Sequence, residues 1–352
     1  MRPQMTPTEN RFAVLLGEHR VGTLLQRGDH TRFVFSEEYL PGAVRVLPCE
    51  EEDSFTYDDW SGGEHPSRSA TEGHPELRFS LAGVALKFSM LAKDDRLTLP
   101  AFGQGGDWIL KLPDRTYPDV PRNEHAMMSL AAAVGMDVPE VRLYERDELD
   151  SLPSRVWPGA ETLAYAVRRF DRNNDRRPVH MEDLAQVRGV YPNEKYFGNY
   201  ETVAALIYRR RDLEGLREFA RRLAFTILIS NGDAHLKNWS LLYSDPRVPT
   251  LSPAYDLVCT SAYMGDGETL GMKFAGSRRF DVVTVRAFER LERRIGAEGA
   301  GLADVVSDLV KNVAAAWAQQ CAALDQAPLV RDSVSASIRS RSRTLLAGRA
   351  GL

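Results

Sequence analysis

The sequence predicts an α+β chain, a small strand-rich lobe followed by a mainly helical one. Three observations carry that prediction. Between residues 77 and 170, strand-like apolar stretches surround a single helical stretch. Beyond Phe170 the apolar residues recur with helical spacing almost to the end. A chain of 352 residues, 43% hydrophobic and 27% charged, is long enough, with ordinary globular composition, for two or three packed units.

Taken in order, RFAVLLGEHRVGTLLQRGDHTRFVFS (residues 11–36) gives three apolar runs separated by GEHR and RGDH, the pattern of a small antiparallel meander within residues 1–49. Residues 50–76, acidic and rich in Gly, Ser and Pro, show no period and read as a linker or long loop with a solvated charge run. In 77–170, LAGVALKFSML, DWILKLP, VPEVRLYE and TLAYAVRRF are strand-like, and PRNEHAMMSLAAAVGM is a helix with Pro121 near its start and Gly135 placed to cap its end. In 171–352, helices are expected at HMEDLAQVRG, YETVAALIYRR, DLEGLREFARRLAFTILIS, TVRAFERLERRIG, GLADVVSDLVKNVAAAWAQQCAAL and LVRDSVSASIRSRSRTLLAG. Strands followed by helices make an α+β arrangement. No internal repeat is visible.

Forty-five basic against forty-nine acidic residues, a net charge of −4, give no global electrostatic case for nucleic acid or an anionic membrane. Cys49, Cys259 and Cys321 are odd in number and far apart, which indicates neither a disulfide framework nor a zinc cluster and fits a reducing cytoplasm. The apolar run Phe12 to Leu16 is too short for a secretory signal, and no stretch approaches membrane-spanning length. A cytoplasmic protein with no membrane partner is expected.

The most informative stretch is SNGDAHLKNWS, residues 230–240. It follows a helix expected to bury Leu223, Phe225, Ile227 and Leu228 and precedes a strand-like NWSLLY, so it is a loop held between buried elements, where chemistry concentrates. Asp233 and Asn238 have the spacing of the base and the metal-binding Asn of a kinase catalytic loop. Asp256 in SPAYDLVCT follows a strand-like TLS, and a hairpin would return it to the same place. One Asn oxygen and one carboxylate, completed by phosphate and water, suit Mg2+. Upstream, Lys111 in ILKLP could neutralise nucleotide phosphates, with Glu124 of the next helix holding it. Each residue also has a plain structural reading. NGD makes an ordinary turn; His235 can be a hydrogen-bonded structural histidine; a strand lysine can face solvent; Glu124 can simply complement the helix dipole. FSLAGVALK (79–87) lies where a phosphate-covering loop would lie, yet has one glycine and fits neither GxGxxG nor the Walker pattern.

In that order, RVGTLL, FSLAGVALK, WILKLPD, RNEHAMMSLAAAVGMDVP, VRRFDR, HMEDLAQ, NGDAHLKNWSLL and SPAYDLV resemble the HipA-like serine/threonine kinases of bacterial toxin–antitoxin modules, over nearly the whole chain. The resemblance implies a two-lobed protein-kinase-like fold, Mg-ATP, a protein substrate, and a HipB-like antitoxin with a helix-turn-helix DNA-binding domain, operator DNA being reached only through that partner. It also implies roles. Asp233 is the catalytic base, with His235 and Lys237 in its motif; Asn238 and Asp256 hold magnesium; Lys111 binds phosphate, with Glu124 and Lys87 beside it. Ser80, Ala82 and Gly83 belong to the phosphate loop, Ser80 being the autophosphorylated serine, and Arg168, Arg169 and Phe170 match the hinge beside adenine. Two departures stand out: the family's longer N-terminal module is represented here by its opening meander with residues 41–76 abbreviated, and Arg168 stands where an acidic residue is common.

The expected activity is an ATP-dependent serine/threonine protein kinase acting as a growth-inhibiting toxin, with an aminoacyl-tRNA synthetase as one substrate the resemblance implies. Two alternatives stay open. GDxxxxN also resembles aminoglycoside phosphotransferases and DxHxxN phosphoinositide kinases, which allows a small-molecule or lipid phosphotransferase. A catalytically idle co-repressor subunit is the other. The C-terminal Arg331, Arg339, Arg341, Arg343 and Arg349 read as a solvated helix face.

Overall fold

A computed structural model of the chain describes residues 10–16, 19–27, 30–35, 44–48, 87–93, 96–98, 106–149, 152–190 and 194–347. Met1–Pro75 with Arg177–Met181 form one compact unit, and Glu76–Arg176 with Glu182–Leu352 the other.

The first unit carries a four-stranded antiparallel sheet of β1 (Asn10–Leu16), β2 (His19–Arg27), β3 (His30–Phe35) and β4 (Val44–Pro48), in the order β3-β2-β1-β4. The three apolar runs are its meander, with Ala13 opposite Thr23 and Thr23 opposite Val34. β4 pairs along the free side of β1. Five residues ending in proline gave no alternation by which to foresee it. The 50–76 linker lies outside the described residues.

The second unit begins with a five-stranded antiparallel sheet, order β6-β5-β7-β9-β8, made of β5 (Lys87–Lys93), β6 (Arg96–Thr98), β7 (Trp108–Lys111), β8 (Val141–Glu145) and β9 (Leu163–Arg168). Side chains alternate between its faces. Phe88, Met90, Trp108 and Leu110 enter a small core closed by Leu149, Leu152 and Trp157. The opposite face carries Lys87, Lys111 and Tyr165, aligned across neighbouring strands. Helix α1 (Val120–Ala133) sits between β7 and β8 in sequence and buries Met127, Met128, Leu130 and Ala131 in the main core. It starts with Pro121 and ends as predicted: Gly135 has φ +81°, its N–H reaches the Ala132 carbonyl at 3.0 Å, and the Met136 N–H reaches Ala131 at 3.1 Å. That pair of bonds satisfies carbonyls the helix end would leave open, in a conformation only glycine adopts cheaply.

β10 (His180–Asp183) begins in the first unit and ends in the second, whose helical lobe then contains α2 (Leu184–Val187), α3 (Tyr200–Tyr208), α4 (Leu213–Leu228), the hairpin β11 (Ser240–Asp245) and β12 (Val248–Leu251), then α5 (Ser261–Met264), α6 (Val285–Ile295), α7 (Leu302–Gln320) and α8 (Pro328–Leu346). HMEDLAQVRG differs from expectation, because its first half is strand. Asp183 accepts from the Gln186 N–H while Gln186 accepts from the Asp183 N–H, both at 2.9 Å, and this reciprocal cap starts the helix only at Leu184. The centre of the lobe is α4, whose second half is buried nearly all round: Leu223, Phe225, Ile227 and Leu228 are all inaccessible to solvent. The fold is the two-lobed, kinase-like α+β arrangement the sequence predicts. Among the described residues no helix is long and apolar enough to cross a membrane.

Candidate active site

The loop after α4 is fixed before any chemistry is considered. Ser230 turns the chain at φ +50°, and the Asn231 side chain accepts from the Asp233 N–H at 3.0 Å, an Asx turn of the kind NGD favours. Gly232 is required for a different reason than turn conformation. A Cβ there would overlap the Glu268 carboxylate and come within 2.6 Å of the Thr269 carbonyl, so glycine permits close approach of the 268–271 segment. Thr260 holds the loop from the other side, accepting from the Gly232 N–H at 2.7 Å and donating to the Ser230 carbonyl at 3.1 Å. Buried Leu236 and a 2.7 Å bond from the Tyr200 hydroxyl to the Ala234 carbonyl complete the anchorage.

The hairpin β11/β12 returns Asp256 to this loop, as its position after TLS suggested. Asn238 Nδ2 donates to Asp256 Oδ2 at 2.8 Å. From the sheet, Lys111 Nζ reaches Asp256 Oδ1 at 2.6 Å and Glu124 Oε1 of α1 at 2.5 Å. Three elements remote in sequence thus meet in one ion cluster. Burial would raise the Asp256 carboxyl, but the Lys111 and Lys87 charges outweigh it and hold it well below the usual carboxylate range. Burial alone would lower the Lys111 ammonium, and the two carboxylates drive it up instead. Burial pushes the Glu124 carboxyl upward against the pull of Lys111. Lys87 is lowered by burial and by Lys111 opposite it. Asp256 adopts φ +60°, a conformation costly for a non-glycine residue and concentrated at functional sites.

Asn123 ties α1 to the Asp256 loop. Its side chain accepts from the Cys259 N–H at 3.0 Å and donates to the Cys259 carbonyl at 3.1 Å. Glu124, one residue on, is held in register with Asp256 by that bidentate contact.

Asp233 presents a half-exposed side chain. Tyr196 donates its hydroxyl to Asp233 Oδ1, with His235 Nε2 at 3.7 Å and Lys195 Nζ at 4.0 Å from the same oxygen. Burial pushes His235 down to about 4, which leaves the imidazole neutral at pH 7. Lys237 contributes its backbone, the carbonyl accepting from Tyr255 at 2.8 Å.

Arg168 ends β9 and Arg169 follows it, and their N–H groups are taken by the Glu140 and Asp107 carbonyls, each at 2.8 Å. The Arg169 side chain pairs with Asp171 in a bidentate contact, and Phe170 lies 5.4 Å from the Tyr255 ring, next to Asp256. A cavity of about 130 Å3 opens beside Arg168, Arg169, Arg172 and Asp107. Ser80, Ala82 and Gly83 lie outside the described residues. Of the C-terminal arginines, Arg331 pairs with Asp325 and Asp332, Arg341 lies over the Phe280 ring, Arg339 and Arg343 are exposed, and Arg349 is outside the described residues.

The described residues hold no group of three or more His, Cys, Asp or Glu side chains that could share an ion. Magnesium asks less of the protein, and the donor set fits it: Asn238 Oδ1 is buried without a hydrogen-bond partner beside the Asp256 carboxylate. Sequence reasoning missed Tyr196, Lys195, Thr260 and Asn123. Asn123 and Thr260 lie in the RNEHAMM and SPAYDLVCT stretches without a chemical role read from them, Tyr196 and Lys195 lie in no motif, and only folding brings the four to the loop.

Residues 79–317 match the family model described as the HipA-like C-terminal domain. Over 300 residues the chain is 40% identical to a Sinorhizobium fredii (strain NBRC 101917 / NGR234) protein named "Putative kinase Y4dM", covering 84% of this chain and 71% of that protein. It is 34% identical over 208 residues to "Putative kinase Y4mE" of the same strain and 32% identical over 197 residues to a similarly named kinase of Haemophilus influenzae, spanning 46% and 53% of their lengths. The fold resembles a chain of the Shewanella oneidensis MR-1 toxin–antitoxin complex of HipA, HipB and operator DNA, with a TM-score of 0.69, 16% identity, and coverage of 95% of this chain and 97% of that one.

Proposed function

The chain belongs to the HipA-like C-terminal domain family, and from that premise we propose that it is an ATP-dependent serine/threonine protein kinase, the toxin of a HipA/HipB-type pair. The observation that carries the reading is the meeting of Lys111, Glu124, Asp256 and Asn238 beside the loop that presents Asp233. In phosphoryl transfer the protein does little covalent chemistry; it positions groups and offsets charge.

Lys111, kept cationic by its two carboxylates, would bind nucleotide phosphates, and Glu124 would orient it. Lys87, across the strand pair, adds a second positive charge on the same face. Asn238 Oδ1 and Asp256 would hold Mg2+, which when bound neutralises charge developing on the phosphate oxygens. With the N–H groups of Arg168 and Arg169 engaged in the sheet, adenine recognition falls to their carbonyls and to Phe170. Asp233 would accept a hydrogen bond from the acceptor hydroxyl and take its proton as the γ-phosphoryl passes to that oxygen and ADP leaves. His235, neutral, leaves that carboxylate without an imidazolium competitor. A half-exposed Asp233 suits an acceptor on a macromolecule.

The reading extends to Ser80 as an autophosphorylation site, to an aminoacyl-tRNA synthetase as a candidate substrate, and to a HipB-like antitoxin as partner in the cytoplasm. A net charge of −4 supports operator contact through that partner rather than directly. The test is incubation of the purified chain with Mg2+, labelled ATP and cell lysate. Label on protein supports the kinase reading. Label only on a small molecule or lipid would make it a phosphotransferase of another class, and no transfer would make it an idle co-repressor subunit.

A further inference from the structure

Tyr196 lies just ahead of α3, in a stretch with no motif; its side chain meets the candidate catalytic loop and Lys195, and its carbonyl accepts from Arg278 at 3.4 Å. The hydroxyl donates to Asp233 Oδ1. The ring stands edge-on to His235, with centroids 5.2 Å apart and planes at 79°, and Lys195 Nζ lies 5.1 Å from its centroid. The backbone is pinned on both sides: the Lys195 carbonyl accepts from the Leu236 N–H at 3.0 Å, and the Phe197 carbonyl accepts from Arg188 at 2.6 Å. A pinned backbone with a partly exposed side chain leaves side-chain rotation as the way for the phenol to move.

On the kinase reading the Asp233 carboxylate must receive the acceptor's hydrogen bond. A phenol already donating to Oδ1 occupies one of its two oxygens. We propose that Tyr196 fills the acceptor-hydroxyl position of this site and that a substrate serine or threonine must displace it before transfer, an inference that rests on the kinase reading above. Both hydroxyls would bond the same carboxylate, so its charge favours neither; the phenol, already held beside it by the chain, loses less freedom than a hydroxyl arriving from solvent. The consequence is selectivity. An isolated hydroxyl lacks the binding energy to move Tyr196, whereas a folded acceptor can use contacts away from the reacting atom to drive the exchange. Phe197, 69% exposed beside the tyrosine, is placed to supply one such contact.

The experiment uses the full chain with Mg2+, labelled ATP and dialysed lysate protein as the acceptor mixture, comparing native protein with Tyr196→Phe. Phenylalanine keeps the ring against His235 and removes only the hydroxyl; a melting temperature near native verifies the fold. The expected result is an apparent KM for lysate protein lower by about tenfold, with kcat little changed. A KM that is unchanged or higher, a reduced kcat, or phosphate on Tyr196 itself by mass spectrometry overturns the inference while native labelling of protein leaves the kinase reading standing. Absence of protein labelling by native chain and variant alike overturns both together.

Discussion

Replacing Lys111 by methionine removes a cation that touches both Glu124 and Asp256, at 2.5 and 2.6 Å. At an effective dielectric of about 20, unit charges that close attract by roughly 6 kcal/mol per pair before desolvation is counted. The net loss is smaller, because truncating one partner of a buried pair costs about 3–5 kcal/mol. Asp256, with 32% of its side chain exposed, can rehydrate, so the penalty falls mainly on Glu124, only 4% exposed. Burial already pushes Glu124 toward its neutral form, so it relieves part of the penalty by taking a proton. We expect Lys111→Met to lose about 3 kcal/mol in denaturant unfolding, near the low end of that range, and roughly 6–12 °C in Tm. ATP affinity, measured by calorimetry, should fall about 10- to 100-fold with the charge-assisted contact. The double variant Lys111→Met/Glu124→Gln separates the two effects: it should regain most of the stability and none of the affinity. A Lys111→Met protein that loses less than about 1 kcal/mol and binds ATP as native protein does would refute the reasoning, because a buried pair cannot be opened at no cost.

Asp256→Ala should remove the Mg2+ dependence of nucleotide affinity in a calorimetric magnesium titration, and unchanged dependence would show that the loop holds no ion. Unfolded chain takes up a proton on histidine near pH 6.5, whereas native His235 resists until about pH 4. The unfolded state therefore binds more protons between those values, and stability should fall by roughly 2–4 kcal/mol as pH drops from about 6.5 to 4. His235→Gln should flatten that slope in urea melts run at several pH values, and a slope as steep as native would contradict the assignment. Ser80 should carry phosphate after incubation with Mg-ATP, by mass spectrometry; that group adds about −1.5 to −2 charges near the nucleotide phosphates, and Ser80→Asp, which adds one negative charge, should bind ATP less well; Ser80 unmodified in protein that labels other targets would end the autophosphorylation reading.

Residues that chemistry forces into a fixed local spacing were legible in the sequence. Asp233 and Asn238 share one loop, and the helix before it announces its burial through Leu223, Phe225, Ile227 and Leu228. Asp256 could be anticipated because a hairpin is a short-range device, and Gly135 because a helix end has few solutions. Contacts that depend on where distant segments are brought were not legible. Asn123 meets Cys259 across 136 positions, and Tyr196 meets Asp233 across 37. Neither pair leaves a periodic or compositional trace. Gly232 shows a subtler limit, since its presence suggested a turn while its reason is the approach of Glu268 and Thr269. In HMEDLAQ the pattern was too short to separate strand from helix, and the Asp183–Gln186 cap decided it.

The most direct test of the central claim is phosphoryl transfer by Asp233→Asn. The side chain is half exposed and keeps its shape on substitution, so fold and ATP binding should survive while protein labelling from labelled ATP falls by about 10²- to 10⁴-fold. Labelling at the native rate in a folded, ATP-binding Asp233→Asn protein would contradict the account.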